Sequence, residues 1–192
     1  MSPLTDPAGR RLVWSGSVAA VASLLGYGYY LQYVEYLDPC PLCITQRLFY
    51  MGIGAVSLAG LLAIRSGTWQ RVAGALYALF ALGGVVTAGR QVWLQHLPPE
   101  AVPECGPGLQ YWLDNESALS VLRLLFAGDG NCAEVQWTFL TLSIGEWSLG
   151  WFVAFLLVGV ALAVRTVRAA PVASGTRDEA DADRLAGGDA RA

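Results

Sequence analysis

Charge is scarce in this 192-residue chain: Asp, Glu, Lys and Arg together account for 14% of it. It has one histidine, His96, and its only methionines are Met1 and Met51. With so few soft or imidazole donors, and with Cys105 and Cys132 lacking metal-site spacing, no metal centre is expected. No phosphate-cradling glycine loop, flavin motif or basic nucleic-acid patch is present, which argues against those chemistries. What abounds is apolar side chain: 55% of residues are hydrophobic and the mean hydropathy is +0.46. Ordinary soluble domains do not reach this balance, so the chain reads as an all-α membrane protein.

An apolar run of about 20 residues crosses the ~30 Å hydrocarbon core as a helix. Four segments meet that length, at about 12–34, 44–64, 72–94 and 147–164. The first follows Arg10 and Arg11 but is too long for a secretory signal core, and further spans follow it. Positive residues near span ends stay on the cytoplasmic side. Arg10 and Arg11, Arg65 and Arg71, and Arg165 and Arg168 mark three such segments. The connections 35–43 and 95–146 instead carry Glu35, Asp38, Glu100, Glu104, Asp114, Glu116, Asp129, Glu134 and Glu146, with Arg123 as their only basic residue. They are expected to face outward, with both termini inside.

All four cysteines then fall on the outer side: Cys40 and Cys43 at the end of the first connection, Cys105 and Cys132 in the long second one. Four cysteines allow three pairings. The C-x-x-C spacing makes Cys40 with Cys43 the natural local pair and leaves Cys105 with Cys132, so two disulfides are expected. A bond across so short a loop removes little chain entropy, which makes stability a poor reason for it. Pro39 and Pro41 are expected to delay the second helix to about Cys43. There, free backbone N–H groups would favour a thiolate, as in reactive C-x-x-C centres. Cys105 and Cys132 sit in glycine- and proline-rich stretches that favour exposed backbone, where a disulfide is open to an attacking thiolate.

Arg47 lies four residues after Cys43, on the same helical face and inside an otherwise uncharged span. Burying arginine at a helix centre costs roughly 2.5–3.5 kcal/mol, less near an end where it can snorkel. A role in stabilising negative charge at Cys43 or on a carrier beside it would justify that cost. Arg90, near the outer end of the third span, is a weaker candidate of the same kind.

The segments Pro39-Cys40-Pro41-Leu42-Cys43-Ile44-Thr45-Gln46-Arg47 and Gly130-Asn131-Cys132-Ala133-Glu134-Val135-Gln136-Trp137, together with Cys105, resemble the disulfide bond formation protein B (DsbB) family of bacterial inner-membrane enzymes. The resemblance covers nearly the whole chain from the first span to the fourth. It implies a four-helix transmembrane bundle with cysteine-bearing periplasmic loops, working as a thiol:quinone oxidoreductase. Cys105 and Cys132 would oxidise a soluble thioredoxin-like DsbA-type partner through a mixed disulfide at Cys105. Cys40 and Cys43 would pass the electrons to membrane quinone, ubiquinone or menaquinone, with Cys43 beside it and Arg47 adjacent. The family is described with a quinone-proximal histidine after the third span, where His96 lies. Gln46 stands where some relatives carry Glu.

The remaining features suit such a bundle. Gly16 with Ala20, Ala22 with Gly26, Ala55 with Ala59, Gly74 with Ala78 and Gly84 with Ala88 are small-residue pairs that allow close helix approach. Tyr27, Tyr29, Tyr30, Tyr33, Tyr36, Tyr50, Trp93, Trp147 and Trp151 read mainly as an interfacial belt. Residues 117–127 read as an amphipathic helix on the membrane surface, with Leu119, Leu122 and Phe126 on one face, tethering the loop disulfide near the other pair. The bundle is assigned to residues 1–168, and 169–192 to a disordered cytoplasmic tail. The competing readings are a quinone-linked thiol enzyme resembling the vitamin K epoxide reductase family and a non-catalytic scaffold stapled by disulfides. The first arranges its cysteine pairs differently along the chain, and the second leaves Arg47 after a C-x-x-C helix start without a purpose.

Overall fold

The computed structural model describes residues 7–106, 111 and 114–168, so the tail expected over 169–192 lies outside the described residues. Four long helices form the body: α1 (Pro7–Tyr33), α2 (Pro41–Leu62), α3 (Gly67–Gln95) and, after a short α4 (Ala118–Ala127), α5 (Ile144–Arg168). The four long ones are each apolar and long enough to cross a membrane. The short links after α1 and α2 force successive helices to run antiparallel. Both cysteine-bearing connections therefore sit at one end of the bundle.

Helix α2 starts at Pro41, two residues before the start expected from its prolines. Proline is favoured at the first helical position, because its missing N–H would have no partner there. Pro41 thus opens the helix rather than delaying it, and Cys40 becomes the capping residue.

Helix α3 is the centre of the packing and lies mainly against α5 and α2, while α1 leans on α2. Small residues let α3 and α5 approach: a Cβ at Gly159 would lie 2.9 Å from the Ala78 backbone, and one at Gly74 3.2 Å from Ala163 N. At Gly84 the Phe152 ring fills the space of the missing side chain. The pairs in α1 act differently, since nothing lies within 4 Å of a Cβ at Gly16 or Gly26.

Far from the cysteines, several buried polar groups pair across helices, as suits a membrane interior. Trp14 Nε1 donates to Gln70 Oε1 at 2.8 Å, and Gln70 Nε2 donates to Gly60 O at 2.7 Å. Ser17 and Tyr77 share a hydroxyl hydrogen bond of 2.9 Å.

At the cysteine end, α4 begins at a Ser117 cap and leaves Leu119, Leu122 and Phe126 exposed while burying Val121. Its C-terminal carbonyls are latched to the bundle. Thr45 Oγ1 of α2 donates to Leu125 O at 2.7 Å, and Arg90 Nε of α3 donates to Ala127 O at 3.2 Å. A small antiparallel hairpin, β1 (Thr138–Phe139) with β2 (Leu142–Ser143), leads into α5. Its turn residues Leu140 and Thr141 both have positive φ, 50° and 69°. That twist suits a two-residue hairpin, although neither residue is the usual Gly or Asn.

Candidate functional site

The site is built from the start of α2, the end of α3 and the segments around Cys105 and Cys132. Cys40 has extended backbone and caps α2 with its sulfur, which accepts from Cys43 N at 3.4 Å. This places Cys43 in the first helical turn, where backbone N–H groups lack intrahelical partners. The Cys40 and Cys43 sulfurs lie 3.0 Å apart.

Cys132 ends a 3-10 turn, Gly130–Cys132, and is fully buried in a cluster with Cys40, Leu42 and Leu94. The Cys132 sulfur beside Cys40, then that of Cys43, together with burial, push the Cys40 thiol above its ordinary range. Cys40 is thus poorly suited to carry charge itself. Cys132 Sγ points to Asp129 Oδ1 at 3.7 Å, and this buried carboxylate also accepts from Asn131 Nδ2 at 3.0 Å.

Cys105 is exposed, and its segment is pinned to the turn that carries Cys132. Gly130 N donates to Glu104 O at 3.2 Å and Asn131 Nδ2 to Gly106 O at 3.3 Å. A Cβ at Gly130 would stand 2.4 Å from Pro103 O and 3.0 Å from Cys105 Sγ, so only glycine permits this contact. The four sulfurs therefore form a spatial series. Cys105 faces solvent beside the Cys132 turn, Cys132 packs on Cys40, and Cys40 touches Cys43.

The series ends at a cavity of about 560 Å³ that Cys40 and Cys43 both line. Leu24, Leu25 and Leu31 of α1 and Trp147 and Trp151 of α5 give it apolar walls. Gln46, Arg47 and Gln91 supply its polar groups near the sulfurs. Arg47 donates to Gln32 Oε1 and, at 3.1 Å, to Gly28 O, and its guanidinium lies 4.9 Å from the Tyr29 ring centroid. These contacts tie it to α1 and hold it at the cavity edge, on the same helix as Cys43.

The other two cavity candidates lie elsewhere. Arg90 stacks on Trp93, 4.3 Å from its centroid, and serves as the latch on α4. His96 caps α3, with Nδ1 2.8 Å from Val92 O, and borders a different depression with Gln95, Thr138 and Glu146. Neither lines the cavity beside Cys43.

Two residues stand at the sulfurs without having been singled out by the cysteine spacing: Asp129 at Cys132 and Gln91 at the C-x-x-C pair. Gln91 Nε2 lies 3.4 Å from Cys43 Sγ and 3.8 Å from Cys40 Sγ. Its carbonyl accepts from Gln46 Nε2 at 2.7 Å. The available signal was a run of polar residues, Arg90 and Gln91, inside an apolar span.

Residues 10–162 match the family model described as "Disulfide bond formation protein DsbB". A disulfide bond formation protein B of Hahella chejuensis is 46% identical over 149 residues, covering 78% of this chain and 90% of that protein. Disulfide bond formation protein B 1 of Pseudomonas aeruginosa is 44% identical over 154 residues, 80% of this chain and 93% of its own. A relative of the same name from Azoarcus sp. is 43% identical over 143 residues, 74% of this chain and 86% of its own. With the membrane bundle, the sulfur series and a match spanning all four long helices, the chain belongs to the DsbB family of disulfide-forming membrane oxidoreductases.

Proposed function

We propose that this protein reoxidises a periplasmic thioredoxin-like DsbA-type oxidase and hands the electrons to membrane quinone. The observation that carries the reading is the order of the sulfurs, from exposed Cys105 on a segment held against the Cys132 turn, through Cys132 and Cys40, to a cavity at Cys43.

The reaction follows from that order, starting with disulfides at Cys105 with Cys132 and at Cys40 with Cys43. A partner thiolate attacks Cys105, and the electron pair of the broken bond goes to Cys132. Cys132 thiolate attacks Cys40, forming a Cys132–Cys40 bond and releasing Cys43 as thiolate. The second partner thiol attacks the partner sulfur of the mixed disulfide and releases Cys105. The Cys105 thiolate attacks Cys132, restoring the Cys105–Cys132 bond and leaving Cys40 as a thiol with a proton from the partner. Each step is a thiolate attack in which the better leaving sulfur departs. The raised Cys40 thiol suits this direction, because Cys40 is attacked and Cys43 takes the charge.

The cavity fits a quinone by its donor set. Its apolar leucine and tryptophan walls match a ring and isoprenoid chain, and the Arg47 and Gln91 donors match carbonyl oxygens. Bound there, quinone would supply a two-electron acceptor. Arg47 and Gln91 would orient it beside Cys43, and the tryptophans would keep water away. The arginine pattern supports an inner-membrane placement with both termini cytoplasmic and the cysteine connections periplasmic.

The test is to mix purified protein with a reduced thioredoxin-like oxidase and a soluble quinone and to follow quinone absorbance. Wild type is expected to form quinol, and Cys43→Ser and Cys105→Ser to lose partner-driven turnover. Quinol formation that survives Cys43→Ser would overturn the pathway. An unchanged rate for Cys105→Ser would remove its partner-facing role.

A further inference from the structure

We infer that Gln91 is a catalytic hydrogen-bond donor to the Cys43 thiolate and that Gln46 is the positioning residue that keeps its amide facing the sulfur. The inference deepens the relay described above and rests on Cys43 being its departing sulfur.

Both glutamines are almost completely enclosed, Gln46 at 2% exposure and Gln91 at 3%. A buried amide in an apolar span must have its donors and acceptor occupied, since each unpaired group costs about 1–3 kcal/mol. The Gln91 amide has two distinct sides. Its oxygen takes the 2.7 Å hydrogen bond from Gln46 Nε2. Its nitrogen then faces the C-x-x-C sulfurs, nearer Cys43 at 3.4 Å than Cys40 at 3.8 Å. The oxygen also lies 3.8 Å from Cys43 Sγ, so a turned amide would set a lone pair against the same atom. Gln46 couples to that choice: as placed, its NH2 group occupies the Gln91 oxygen and leaves the Gln91 NH2 for the sulfurs. Helix α5 leaves room for the arrangement: a Cβ at Gly145 would stand 3.2 Å from Gln91 Cδ.

The consequence falls on one step. When Cys132 thiolate attacks Cys40 Sγ, the Cys132–Cys40 bond forms, the Cys40–Cys43 bond breaks, and its electron pair moves to Cys43 Sγ. No proton or further reactant is needed. The Gln91 N–H is aimed at the atom where that charge appears, which is how preorganised donors stabilise a developing anion. Its distances also favour charge on Cys43, the sulfur that lines the cavity, over charge on Cys40.

Neutral, unbranched replacements test this with little change of volume: Gln91→Met, Gln46→Met and the double variant. The readout is the alkylation rate of Cys43 in the reduced, quinone-free protein at fixed neutral pH, localised by mass spectrometry, with a thermal midpoint for each variant. Gln91→Met is expected to slow alkylation at least about threefold, since a hydrogen bond to a charged group is lost and higher intrinsic nucleophilicity restores only part of the rate. Gln46→Met should slow it less and add nothing in the Gln91→Met background. Such non-additivity is the mark of a residue acting through its neighbour.

An unchanged rate in Gln91→Met at a wild-type thermal midpoint would overturn the donor role. Additive losses would overturn the positioning role of Gln46. If Gln91→Met does not accumulate, Gln46→Met alone decides, and an unchanged rate there overturns the inference. Quinone reduction by wild type is assayed separately, so failure of the relay itself would show in that assay and not in the alkylation series.

Discussion

Arg47 joins two jobs in one side chain. It binds α1 through Gln32, Gly28 O and the Tyr29 ring, and it borders the cavity next to Cys43. Arg47→Ala is expected to raise the apparent KM for a soluble quinone about tenfold, the size of a lost charged hydrogen bond, while thiol exchange between the partner and Cys105 continues. Steady-state quinone reduction and a separate mixed-disulfide assay would measure the two. Equal damage to both steps would contradict the division of labour. The cysteines and Arg47 were legible because their spacing is local: four residues along a helix return to nearly the same face, so Cys43 predicts Arg47. Gln91 was not, because its contact with Cys43 spans 48 positions and nothing local announces it. His96 stands out chemically, but five residues beyond Gln91 at about 100° per residue is a different face, and it borders a different depression.

Helix α4 shows what a short element does when its ends are held. Its exposed Leu119, Leu122 and Phe126 suit a membrane surface, and Thr45 and Arg90 grip its last carbonyls. These two latches link the connection between the loop cysteines to α2 and α3, the helices that bear the C-x-x-C pair and Gln91. Replacing both, as Thr45→Val with Arg90→Leu, removes two hydrogen bonds worth about 1 kcal/mol each. Amide exchange across 118–132 should then speed up at least about tenfold, and electron transfer from Cys132 to Cys40 should slow. Exchange rates equal to wild type would show that the latches do not restrain the segment. The extent of α4 was readable from its apolar face. The hairpin before α5 was not, because Leu140 and Thr141 adopt positive φ without the Gly or Asn that signals such a turn. The start of α2 turned on whether Pro41 stops a helix or begins one, and the capping sulfur of Cys40 favours the beginning.

At the scale of the bundle, the spans could be read from length and hydropathy because a lipid-embedded backbone has few alternatives to a helix. Which helices touch could not be read, because small-residue pairs occur on faces that meet nothing as well as on faces that pack. Gly159 and Gly16 separate the two cases. At Gly159 a Cβ would press 2.9 Å from the Ala78 backbone, which cannot rotate away, so Gly159→Ala must push α3 and α5 apart. Overpacking of this kind costs about 1–3 kcal/mol, and the thermal unfolding midpoint in detergent should fall by several degrees. At Gly16 nothing stands within 4 Å, and alanine is the better helix former by roughly 0.5–1 kcal/mol. Gly16→Ala should leave the midpoint unchanged or higher. Separation of α3 from α5 would also widen the cavity, since Gln91 of one and Trp147 and Trp151 of the other both line it. Gly159→Ala should therefore weaken quinone turnover below its melting temperature, whereas Gly16→Ala should not. Equal loss of stability in both variants would mean that close α3–α5 approach does not hold the bundle together.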